Sequence, residues 1–222
     1  MDISTLTEVV TWVIYVALGL IALWGAFCVI IVWRRVAQTR FRNEQEQDAF
    51  LDRVDTALET GGFEAGGELC QDDPRATPQL VMLAIDNRKL GYAKIRALVA
   101  DRFQRDVLSD LDHRLSWIYT VIKAAPMVGL FGTVVGMMGA FRKISTPGAD
   151  PDPTQFASEI SLALITTACG LAIAIPLVLA TASVNIQIRK LEDLVSAGMT
   201  RFMETFKAAL GKSPAELSPP SS

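Results

Sequence analysis

The chain has 222 residues, half of them hydrophobic, with 21 Lys and Arg against 24 Asp and Glu, a formal net charge of −3. Its mean hydropathy of +0.31 is higher than a soluble domain of this length usually carries. There is no basic stripe with interleaved aromatics, so nucleic-acid binding has no support, and Cys28, Cys70 and Cys169 form no metal-ligand spacing.

A membrane-spanning helix needs roughly 20 apolar residues. Val9 to Val32 is one uncharged run of that kind. Asp2 and Glu8 precede it, where a cleavable signal peptide carries positive charge, and the run is too long for one. Arg34, Arg35, Arg40 and Arg42 follow at once, so the positive-inside rule places that end in the cytoplasm and the N-terminus outside. Trp12, Tyr15, Trp24 and Trp33 suit an interfacial belt, although Trp24 sits deep for one.

A cytoplasmic helical region is expected next, over 34–115. Gln45 to Thr60 reads as a helix with Phe50, Leu51, Val54 and Leu58 on one face, and Gly61-Gly62 and Gly66-Gly67 break it. Thr77 before Pro78 has the form of an N-cap with proline at the first helical position. No breaker interrupts Tyr92 to Ala125, which predicts one long helix running from the cytoplasm into a second span.

That second span, 116–143, is interrupted only by Lys123 before its positively charged end. Ser145 to Thr154 is a turn-rich outer loop within 144–157, and Ile160 to Ile188 is a third uncharged run. Arg189 and Lys190 follow it. Leu191, Val195, Phe202, Phe206 and Leu210 then recur at helical spacing, predicting an amphipathic cytoplasmic helix over 186–211 that packs on the helix feeding span two. The polar, proline-rich tail 212–222 is expected not to fold. The expected layout is a periplasmic N-terminus over 1–8, spans at 9–33, 116–143 and 158–185, and a cytoplasmic C-terminus. The expected class is an all-α integral membrane protein whose second and third spans extend into the cytoplasm as long helices.

Spans two and three are unlike simple lipid anchors. Ala125, Gly129, Gly132, Gly136 and Ala140 recur every three or four residues, as do Ala163, Thr167, Gly170 and Ala174, making two small-residue faces that let backbones approach closely. Thr133, Thr166 and Thr167 lie at mid-depth. Their hydroxyls can face a polar pathway or bond the carbonyl of the preceding turn. Pro126 and Pro176 each free a carbonyl, giving either a static kink or a polar group exposed to a pathway. Lys123 can snorkel to headgroups or form a vestibule, and Glu159 is either a surface acid at a helix N-terminus or the mouth of an ion path.

No Asp or Glu lies inside any of the three runs, so a proton path here needs a relay carboxylate from another polypeptide. The one histidine, His113, has no nucleophile or acid set around it in sequence, and no phosphate loop or metal motif is visible. An enzyme, a cofactor and a metal site are therefore not expected.

Ala125-Pro-Met-Val-Gly-Leu-Phe-Gly-Thr-Val-Val-Gly-Met137 resembles the "AP-x-x-GLLGTV-x-GM" segment of the MotA/TolQ/ExbB proton-channel family. Ile160-Ser-Leu-Ala-Leu-Ile-Thr-Thr-Ala-Cys-Gly-Leu-Ala-Ile-Ala-Ile-Pro176 resembles that family's "I-x-x-AL-x-x-TA-x-GL-x-x-AIP" third span. Three spans look like the ExbB/TolQ branch. The resemblance implies an inner-membrane, ring-forming homo-oligomer of five copies around a dimer of a single-span ExbD/TolR-like partner whose aspartate binds the proton. It further implies a client of the TonB or TolA type. Thr133 and Thr167 would line the pathway with Thr166 as neighbour, and Pro126 and Pro176 would match the family prolines. Leu162 occupies the position where ExbB and TolQ usually carry a glutamate. The alternative from a different class is a non-conducting membrane scaffold.

Overall fold

The computed structural model describes residues 3–145 and 153–212. The expected outer loop falls largely, and the unfolded tail almost wholly, outside the described residues. Every regular element described is helical: α1 (Ile3–Thr39), α2 (Glu44–Thr60), α3 (Gly62–Glu68), α4 (Ala76–Asp86), a 3₁₀ turn (Arg88–Leu90), α5 (Tyr92–Arg102), a π-helical segment (Phe103–Leu108), α6 (Ser109–Ile144) and α7 (Pro153–Lys212). Three helical stretches, Val9–Thr39, Tyr92–Arg142 and Phe156–Gly211, are long and apolar enough to cross a membrane. Helix is unbroken from Tyr92 to Ile144, as the sequence predicts, but it passes through the wider π turn on the way. The third membrane-length stretch and the amphipathic stretch after it form one helix, α7.

The chain divides into two compact units. The first comprises 1–32 and 113–183, and the second 33–112 and 184–222. The first unit is three helical segments packed side by side. Gly25 on α1 seats against both others: a Cβ there would lie 2.8 Å from Leu177 Cδ1 and 2.9 Å from Val121 Cγ1. Trp24 meets Trp117 edge-on at 6.4 Å between ring centroids. Helices α6 and α7 run antiparallel, with Phe141 against Phe156 at one end of their contact.

The second unit packs short helices around buried apolar faces. α2 buries Phe50, Leu51, Val54 and Leu58, the face read from its spacing, and opens with Glu44 and Glu46, which favour a helix N-terminus. Gly61 ends it, but Gly66 and Gly67 do not break the chain, since both lie inside α3. α4 begins at Ala76 rather than Pro78. Thr77 is not its cap, because the Thr77 hydroxyl donates to Gln47 Oε1 at 3.2 Å. Gly91, with φ +83°, turns the chain from the 3₁₀ segment into α5, a conformation that an L side chain rarely adopts.

Buried polar residues tie these helices together. Gln47 is 2% exposed, and its Nε2 donates to the Leu194 carbonyl at 2.6 Å. Gly198 provides the space for that amide. Arg201 on α7 pairs with Asp48, Asp52 and Asp55, which lie along one face of α2. The C-terminal part of α7 thus packs on α2, and on α3 through Phe206 and Phe63, as well as on α5 through Lys207 and Tyr92. A cleft of about 580 Å³ lies between α5 with its π segment and α7, lined by residues such as Val99, Phe103 and Met199. Cys70 is buried, and its thiol is pushed up to about 12 by burial and by nearby Asp73.

Arg75 is a second node. Its guanidinium binds Asp73 through Nε at 2.9 Å and Nη2 at 2.6 Å, reaches Glu46 at 2.7 Å, and stacks 3.9 Å from the Phe41 ring centroid. Hydrogen bonds from Arg75 hold the Asp73 carboxyl below the usual carboxylate range, against a smaller effect of burial. A depressed carboxyl pKa stabilises the fold above its unfolded value and loses that contribution as pH falls through the folded value. Arg75→Ala is therefore expected to cost about 1–3 kcal/mol at pH 7. Thermal unfolding of the detergent-solubilised protein should show the gap between wild type and variant shrinking below about pH 4.

Candidate ion-pathway site

The site forms where α6 and α7 pass closest, because glycine removes the side chain at each contact. A Cβ on Gly170 would lie 2.5 Å from the Ala125 carbonyl oxygen and 3.2 Å from Pro126 Cα. A Cβ on Gly129 would lie 2.6 Å from the Thr166 carbonyl oxygen, and one on Gly136 would lie 2.6 Å from Ala163 Cβ. Real Cβ atoms do not approach backbone that closely, so the small-residue spacing in the sequence marks the true contact face.

Three hydroxyls sit in this contact. Thr133 Oγ1 touches Thr167 Oγ1 and also lies 3.3 Å from the Ala163 carbonyl and 3.4 Å from the Gly129 carbonyl. Thr167 Oγ1 lies 3.1 Å from the Gly129 carbonyl. Thr166 Oγ1 lies 2.9 Å from the same carbonyl and 2.7 Å from Ala163's. One carbonyl of α6, that of Gly129, is thus approached by all three threonines. In a bilayer this arrangement removes the cost of unpaired polar groups, since no water is available to them.

The three threonines differ in access within one chain. Thr166 is 1% exposed and Thr133 9%, whereas Thr167 is half-buried. Thr166 fills a notch left by Gly132, where a Cβ would lie 2.6 Å from its Oγ1. Pro126 is half-buried beside Gly170, while Pro176 is exposed. Each proline lacks the N–H that would bond the carbonyl four residues earlier. Lys123 is exposed, Glu159 is half-buried and has a polar partner, and Leu162 is 55% exposed. The structure brings Thr133, Thr166, Thr167, Gly129, Gly132, Gly136, Gly170 and Pro126 into one contact; Lys123, Glu159 and Pro176 form no part of the hydroxyl cluster.

Thr181 escaped the sequence reading. It is 2% exposed and its hydroxyl donates to the Leu177 carbonyl at 2.7 Å, so it is spent within its own helix. Among the described residues no group of three or more His, Cys, Asp or Glu could hold a metal ion.

Residues 84–197, which include the whole hydroxyl cluster, match the MotA/TolQ/ExbB proton channel family. The chain belongs to that family. A biopolymer transport protein ExbB homolog of Methanothermobacter thermautotrophicus is 32% identical over 160 residues, covering 70% of this chain and 54% of the relative. The Tol-Pal system protein TolQ of Haemophilus influenzae is 36% identical over 109 residues, covering 48% of this chain and 47% of the relative. The biopolymer transport protein ExbB of Helicobacter pylori is 36% identical over 102 residues, 46% of this chain and 68% of the relative. The chain thus spans about half the length of the first two of these relatives. These likenesses place it in the ExbB/TolQ branch, and together with three membrane-length helices they make it a multi-pass membrane protein.

The close approach gives a direct prediction. Gly170→Ala should force α6 and α7 apart at Ala125 and lower stability by about 1–3 kcal/mol, as overpacking does. The same change at Gly67, where a Cβ meets nothing within 4 Å, should leave the melting temperature within about 1–2 °C of wild type.

Proposed function

We propose that this chain is the ring-forming subunit of a proton-driven stator in the bacterial inner membrane. Its N-terminus is periplasmic and its C-terminus cytoplasmic. Five copies surround a dimer of a single-span ExbD/TolR-like partner. Proton flow protonates and releases the partner's aspartate, the partner helices move within the ring, and the work passes to a TonB- or TolA-like client. The chain itself performs no covalent chemistry.

The observation that carries this reading is the Thr133–Thr167 hydroxyl pair bridging α6 and α7, with Thr167 partly open to the outside of the helix pair. Hydroxyls can line a proton path but cannot store the proton at neutral pH, and no carboxylate lies within the three apolar runs. A pathway through this chain therefore needs an acid from elsewhere, which fits a partner of the ExbD/TolR type. The arginines after the first span and Arg189-Lys190 after the third support the orientation. Membership of a proton channel family and likeness to ExbB and TolQ support the coupling role.

One observation favours the scaffold reading: Thr133 and Thr166 are buried between helices and serve packing whether or not anything is conducted. The double variant Thr133→Val and Thr167→Val separates the two. Valine keeps the shape and removes the hydroxyls. The stator reading predicts an intact oligomer by size-exclusion chromatography with client-dependent work in cells lost. A scaffold would keep full function in the same variant.

A further inference from the structure

The sequence gives Thr166 no task beyond neighbouring Thr167, but the protons and acceptors of the three threonines give it one of its own. This point rests on the proton-pathway reading above. Each hydroxyl has one proton to donate and lone pairs to accept. Thr166 reaches two carbonyls, Gly129 at 2.9 Å and Ala163 at 2.7 Å. Thr133 reaches the same two carbonyls, Thr167 reaches that of Gly129, and the two hydroxyls touch each other.

Two arrangements satisfy every hydroxyl without moving a heavy atom. In one, Thr167 donates to Thr133, Thr133 donates to the Ala163 carbonyl, and Thr166 donates to the Gly129 carbonyl. The outward lone pairs of Thr167 are then free to accept from a protonated carboxylic acid. In the other, Thr133 donates to Thr167, Thr166 donates to either carbonyl, and the Thr167 proton points outward to a carboxylate. The half-buried Thr167 can therefore face both protonation states of an acid, and in the second arrangement Thr166 is the one hydroxyl of the three that donates to a buried carbonyl.

We infer that Thr166 is a positioning residue of the pathway. Its hydroxyl, seated in the Gly132 notch, donates to the Gly129 or the Ala163 carbonyl and so leaves the Thr133–Thr167 pair free to reverse its direction. Without that hydroxyl the two carbonyls draw the Thr133 and Thr167 protons inward, and outward donation to a carboxylate weakens.

The test uses the full chain with whatever copurifies from its own cells, reconstituted into liposomes, with proton uptake read by an internal pH dye. Thr166→Val keeps the shape in the notch and removes the hydroxyl. It should assemble normally while uptake falls about tenfold, the equivalent of about one neutral hydrogen bond. Thr166→Ser keeps the hydroxyl and should return uptake to within about twofold of wild type. Wild-type uptake in Thr166→Val beside lost uptake in Thr167→Val would overturn the inference and leave the pathway reading standing. So would failure of Thr166→Val to assemble, or a serine variant as poor as valine, since either makes Thr166 a packing residue. Full uptake in Thr167→Val would instead remove the pathway reading itself.

Discussion

The structure depends on how closely the backbones of α6 and α7 approach. Gly129, Gly136 and Gly170 meet the opposite helix at distances that admit no Cβ, and Gly132 makes the matching notch for a side chain. Such closeness gains dispersion contact where lipid offers no hydrophobic drive to associate. It also brings carbonyls of one helix within reach of hydroxyls of the other. The polar cluster is thus a consequence of the glycine face: with larger residues there, Thr166 Oγ1 could not reach the Gly129 carbonyl, and Thr133 could not touch Thr167.

This coupling of packing to polarity explains how one feature can serve both stability and transport. A hydroxyl spent between two helices costs nothing to bury, and a pair of hydroxyls with shared acceptors can reverse direction without displacing a helix. The pair has no charge of its own to give. The apolar runs that surround it hold no carboxylate, so a proton path through it would need an acid brought to it. Leu162, where ExbB and TolQ usually carry glutamate, leaves Glu159 as the nearest acid on that stretch of α7, three residues away and close to the helix start.

Much of this was legible in the sequence. The apolar runs give the three membrane-length helices, and the recurrence of small residues at three and four gives the contact face of α6 and α7. The face of α2 follows from Phe50, Leu51, Val54 and Leu58. Periodicity puts Thr167 on the contact face with Ala163, Gly170 and Ala174, and does not show that its neighbour Thr166 is the more deeply buried of the two. Thr166 and Thr167 differ by about 100° around α7, and only the position of Gly132 on the other helix buries the first and leaves the second half-open. The start of α4 was misplaced because Thr77 has a better partner than its own helix, namely Gln47. Gly66 and Gly67 are tolerated within α3 because Gly66 packs against Leu58 and Ile85, where a larger residue would crowd them. The Arg201 fork was readable in part, since Asp48, Asp52 and Asp55 share a face of α2, but their partner lies some 150 residues further along the chain.

A ring of this chain around a partner that carries the acid its own helices lack has a definite mass. Native mass spectrometry of the complex, tagged on this chain and gently extracted from its own cells, reads it. Five copies holding two copies of a single-span protein with an aspartate near the start of that span is the expected mass. A ring of this chain with no such partner, or a monomer, would contradict the stator and leave the threonine cluster as packing alone.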